Sequence, residues 1–218
     1  MRLDLGSPVE CSDAKVGELA DVVIDPTTRR VTHLVVEPHH RHDQAQLVPV
    51  ELARGDDGDA IRLGCTQTEF AELPRIAEIE YLRLGEFPVE DPRWDVGIGE
   101  MLALPYYDAV DMPANVIMEY EQHVTVTYDR VPKGEVEVRR ASAVISVDGY
   151  SLGEVDGFVV DADEHITHLV LERGHLWGRK EVTIPIGAVA RVESDTVHVA
   201  LSKDEVGALP AVHVGRHG

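Results

Sequence analysis

Two cysteines, Cys11 and Cys65, in 218 residues cannot build the disulfide framework of a small secreted scaffold. Their scarcity, with an opening MRLDLGSP that lacks the charged-then-apolar order of a secretory leader, leads us to expect a cytoplasmic protein. No run approaches the roughly 18 apolar residues that a spanning helix needs, so no membrane span is expected. Basic residues are also few: 20 against 40 acidic ones, a formal net charge of -20. They are scattered as pairs such as Arg29-Arg30, Arg139-Arg140 and Arg179-Lys180. Direct nucleic-acid binding is disfavoured, because a phosphate backbone calls for concentrated positive surface.

What the chain does have is an internal echo. THLVVE at 32–37 returns as THLVLE at 167–172. Outward from it, Gly17-Glu18 falls on Gly153-Glu154, Asp25 on Asp161, Pro49 on Pro185 and Leu73-Pro74 on Leu209-Pro210, at an offset of 136 residues. The offset drops to 135 only locally, from the turn Asp25 to Val31, one residue longer than its counterpart Asp161 to Ile166, through Glu37, and is 136 again at Pro49. Length changes confined to turns mark two copies of one unit. We divide the chain into a first unit at 1–74, a connector at 75–134 and a second unit at 135–218.

Each copy reads as β structure. Leu19 to Asp25 and Val31 to Glu37 are β-branched runs across a Pro-containing turn, as are Val155 to Asp161 and Ile166 to Glu172 across ADEH. Shorter strands follow at Leu47 to Val50 and Ala60 to Leu63, and again at Val182 to Ile186 and Thr196 to Leu201. Thr66-Gln67-Thr68-Glu69 and Ser202-Lys203-Asp204-Glu205 both spell a capping box, and Leu-Pro ends each helix. The expectation is a mainly β protein: two small antiparallel barrels, each with its own core and closed by a short helix, joined by an ordered irregular connector. In Val31 to Val36 both faces are apolar, so this strand is to be covered twice, its outer face by the other copy, the connector or a partner. The connector holds most of the tyrosines, many prolines and one alternating run, His123 to Tyr128. Val136 to Arg140 is read as the start of the second copy.

The repeated unit resembles the PRC barrel, the module at the end of a ribosome maturation factor and in the cytoplasmic part of the photosynthetic reaction-centre H subunit. The resemblance is carried by Leu152-Gly153-Glu154-Val155, Val159-Val160-Asp161, Ile166 to Val170 and Val182 to Ile186. Val16-Gly17-Glu18, Val23-Ile24-Asp25, Val31 to Val35 and Leu47 to Val50 repeat it in the first copy. It implies a non-enzymatic protein-binding or scaffolding module without a cofactor, its protein partner unnamed, existing as an internal pseudo-dimer or a homodimer. One alternative is a ribosome- or RNA-associated assembly factor acting through a protein contact. Another is metal or ligand binding by EPHHRHD at 37–43, where His39, His40 and His42 stand beside carboxylates. The exposed candidate for partner contact is GHLWGRK at 174–180, with Trp177 among His175, Arg179 and Lys180. His33 and His168 recur on apolar strand faces and read as structural.

Overall fold

The computed structural model describes residues 1–38, 41–54, 60–83, 93–96, 104–105, 123–173, 180–193 and 196–212. In the first half, β1 (Arg2–Asp4), β2 (Pro8–Glu10), β3 (Lys15–Asp25), β4 (Arg30–Glu37), β5 (Gln46–Pro49), β6 (Ala53–Arg54) and β7 (Ile61–Leu63) precede helix α1 (Gln67–Ala71). The middle segment gives β8 (Ala77–Arg83), β9 (Trp94–Val96), β10 (Leu104–Pro105) and β11 (His123–Pro132). The second half follows with β12 (Val136–Arg139), β13 (Ala143–Ile145), β14 (Ser151–Val160), β15 (Ile166–Arg173), β16 (Lys180–Pro185), β17 (Val189–Glu193), β18 (Thr196–Val199), helix α2 (Lys203–Ala208) and β19 (Ala211–Val212).

The protein is mainly β, and its two large sheets share one strand order. The first runs β5-β4-β3-β2-β7-β6 and the second β19-β16-β15-β14-β13-β18-β17. The correspondence extends to parallel pairing, of β2 with β7 and of β13 with β18. Both capping boxes are formed: the Thr66 and Ser202 hydroxyls accept the Glu69 and Glu205 amides, and each glutamate reaches back to its cap. Phe70 and Val206, one from each helix, are buried in the core.

Three expectations are corrected. Neither ladder closes into a barrel among the described residues. After β5 and β16 the chain turns through Pro49-Val50-Leu52 and Pro185-Ile186-Ala188, short 3-10 turns that carry it off the preceding ladder. The cores are not separate either: one apolar cluster runs from Leu3, Val9 and Leu34 through Phe158, Leu169 and Val206. And Val136–Arg139 does not start the second sheet. It pairs with β3 of the first, Val138 opposite Val22, while β1 pairs with β14 of the second, Leu3 opposite Phe158.

This exchange is reciprocal. Leu3 and Val138 are separated by 135 residues and Val22 and Phe158 by 136, the spacing of the sequence repeat itself. Each long hairpin strand is therefore edged twice on one side: β14 by its own β13 up to Glu154, then by β1 from Gly157. Leu3 and Val138 are both fully buried. A unit of about 70 residues buries too little surface to be robust alone. Lending a strand to the neighbour merges two thin cores into one.

The hairpin turns meet on the same pseudo-two-fold relation. The Val31 amide donates to the Glu164 carbonyl at 3.1 Å and the Ile166 amide to the Arg29 carbonyl at 2.9 Å. Arg29 and Glu164 both lie in the left-handed region, at φ 58 and φ 66. Arg30 Nη2 donates to Glu164 Oε2 at 2.7 Å across the junction.

The middle segment is more regular than a loop. β8 and β11 pair from Ala77 opposite Asp129 to Arg83 opposite His123, so the alternating run at 123–128 is a strand. This sheet covers the outer face of the first one: Val23, Val35, Ala45 and Leu47 pack with Ile76 and Val131, and Trp94 lies against them. Arg139 Nη2 meets buried Asp129 at 2.6 Å, pinning β12 to β11.

Candidate functional site: a groove at the junction of the halves

The turns that meet at the junction are built by one carboxylate each. Asp25 Oδ1 accepts the Thr27 amide at 2.8 Å and the Thr28 amide at 3.2 Å, and Oδ2 accepts the Thr28 hydroxyl at 2.7 Å. Asp161 Oδ1 accepts the Asp163 and His165 amides at 2.9 Å. These bonds favour the charged form: the Thr28 hydroxyl, then the Thr27 amide, hold Asp25 below its ordinary range, and the His165 amide does the same for Asp161.

A carboxylate held below its ordinary pKa stabilises the fold above that ordinary value and ceases to do so as pH falls through the lowered one. Asp25→Ala is therefore expected to be less stable than wild type at pH 7. That difference should shrink as pH falls below about 4, losing the part that depends on the carboxylate's charge. Urea midpoints of both proteins across this range check it.

Beside the turns lies a groove of about 210 Å³ to which both halves contribute. Ile24, Ile166 and Val189 form its buried bed, Ile186 and Val192 are half-buried walls, and Pro26, Arg29, Ala190 and Arg191 stand exposed at its rim. Its charged lining residues are both arginines. Arg191 Nη2 reaches Glu193 at 2.8 Å in an exposed pair, whereas Arg29 makes no ion pair among the described residues. A second cavity of about 180 Å³ is lined by Gly6, Leu19 and Ala20 together with the charged Glu18, Asp21, Glu37 and Arg140.

The sequence-predicted site residues fare unevenly. His39, His40, His175, Trp177 and Arg179 lie outside the described residues, and of His42 and Lys180 only the backbone is described, in a 3-10 turn and at the start of β16. His33 and His168 occupy matching places, each Nδ1 3.1 Å from the hydroxyl of the preceding threonine. Asp161, Asp163 and His165, which no sequence motif joins into a site, bring ligand atoms within 4.8 Å of one another. They are exposed, and the Asp161 carboxylate is already occupied in shaping its turn.

The two cysteines meet inside the first half, Sγ to Sγ 3.8 Å. Burial, then the neighbouring Cys65 thiol, pushes Cys11 up to about 12, so at neutral pH it is a thiol and a poor nucleophile. At the far end of the second half, Val147 and Tyr150 are exposed large apolar side chains, with Lys203 Nζ 4.9 Å from the Tyr150 ring centre. The corresponding places in the first half hold Ser12 and Ala14.

No helix among the described residues is long and apolar enough to cross a membrane. A comparison with curated proteins found no match. Residues 140–206, from just after β12 into α2, match the model of the PRC-barrel domain. The match spans β13 to β18, the hairpin of β14 and β15, and most of the capped helix, so this segment carries the PRC-barrel domain.

Proposed function

We propose that this chain is a non-enzymatic protein-binding module: two copies of a PRC-type unit, arisen by duplication, that act as one body in the cytoplasm. The duplication is supported by the sequence offset and by the shared strand order. The boundaries at 74 and 135 then mark copies in sequence, while the folded units are interlocked through β1 and β12. The PRC barrel at 140–206 supports protein contact as the role, and the carrying observation is the groove: neither half alone contains it. A surface that exists only when two units are locked together gives the duplication a use. The scarcity of cysteine supports the cytoplasmic assignment.

The test is capture by the immobilised full-length protein from its native cells, beside a matrix protein of equal negative charge. The reading predicts a partner held in fixed proportion, displaced by free protein and missing from the charge-matched control. Retention of the same set by both matrices would contradict it.

A further inference from the structure

We infer that the junction groove receives an acidic segment of a partner protein, one apolar side chain entering the bed and flanking carboxylates meeting Arg29 and Arg191. This deepens the protein-binding reading and rests on it.

Size argues for a side chain. Pockets for drug-sized ligands run to roughly 300–1,000 Å³, and this one holds about 210 Å³. Its floor of two isoleucines and a valine offers nothing polar to orient a cofactor, but an aliphatic side chain would bury its surface there.

Charge argues for an acidic partner. On a chain with 40 acidic and 20 basic residues, a groove whose lining charges are both arginine stands out in sign from its surroundings. An acidic segment is repelled elsewhere on the surface and admitted here, which is how like charge confers specificity. Arg29 is held ready by the turn: its backbone is fixed at φ 58 by the bonds to Asp25 and by the Ile166 amide, and its guanidinium has no ion-pair partner among the described residues. Arg191 is engaged by Glu193, but that pair is exposed, and surface pairs are weak enough for an incoming carboxylate to share the arginine. The preference belongs to this side of the molecule. Across the pseudo-two-fold relation the place of Arg29 is taken by Glu164, itself committed to Arg30.

The probe is a fluorescein-labelled dodecapeptide carrying one central leucine flanked by aspartate and glutamate, titrated with the full-length protein and followed by anisotropy. Two controls replace the acidic residues by lysine or the leucine by serine. The acidic leucine peptide is expected to bind about ten-fold or more tightly than either control, and to lose affinity as salt is raised. Arg29→Gly, which keeps a backbone at φ 58 comfortable, should weaken it about five-fold or more with an unchanged melting temperature. Ala190→Trp, which fills the groove from its rim, should abolish it. Absence of saturable binding, equal binding of the lysine peptide, or wild-type affinity in both variants would overturn the inference. The two readings part in the capture experiment. A partner retained undiminished by a protein carrying both Arg29→Gly and Ala190→Trp leaves the module standing and removes the groove, whereas no specific partner at all removes the module.

Discussion

Truncating Leu3 to alanine is expected to cost about 2–5 kcal/mol, the range for a buried leucine that leaves a cavity behind. Leu3 is fully buried, belongs to the cluster shared by both halves, and lies opposite Phe158 in the second sheet. Its partner Phe158 is 155 residues away in sequence, so the loss should not be confined to the N-terminal half. Gly157 shows how closely the strand is fitted: a Cβ there would lie 2.4 Å from the Leu3 carbonyl oxygen. Urea unfolding followed by far-UV circular dichroism and by amide exchange should give one cooperative transition for both halves, displaced as a whole in the variant. A change below about 0.5 kcal/mol, or an early transition of the first half alone, would show that β1 does not join the two.

Gly153→Ala should be at least as damaging. Gly153 sits at φ 145, which L side chains rarely adopt, and a Cβ on it would stand 2.1 Å from the Glu172 carbonyl oxygen and 3.2 Å from its carbon. Both are backbone atoms of the neighbouring strand β15, so no rotamer change relieves the clash. Strain and clash together should cost about 3 kcal/mol or more, read as a fall in melting temperature of roughly 6–12 °C for a chain of this size. Gly17→Ala meets the equivalent Glu37 oxygen at 2.4 Å without the positive φ, so it should be harmful but milder. A Gly153→Ala protein melting within a degree of wild type would mean that β14 and β15 do not approach as described.

Much of the fold was legible because the signals are local. Asp25 and Asp161 announce their turns, Thr66 and Ser202 their caps, and Val35 its doubly covered strand, which the middle segment does cover. The strand exchange was not legible. Val22 and Phe158 are both large and apolar, so Leu3 would be as content opposite one as the other, and nothing in a hydrophobic pattern says which copy it serves. The single core was hidden for the same reason. The groove could not be read either, because its residues come from two turns and a strand that sequence places far apart, and its arginines, Arg29 in a basic pair and Arg191 alone, are among the scattered basic residues that argued against nucleic acid. Asp161, Asp163 and His165 were missed because the turn that gathers them also explains them.

Cross-strand nuclear Overhauser effects between backbone protons decide the matter most directly. Interlocked halves predict contacts of the β1 backbone around Leu3 with β14 around Phe158, and of β12 around Val138 with β3 around Val22. Contacts of Leu3 with Val22 and of Val138 with Phe158 would mean that each unit keeps its own strand, and the interlock would be wrong.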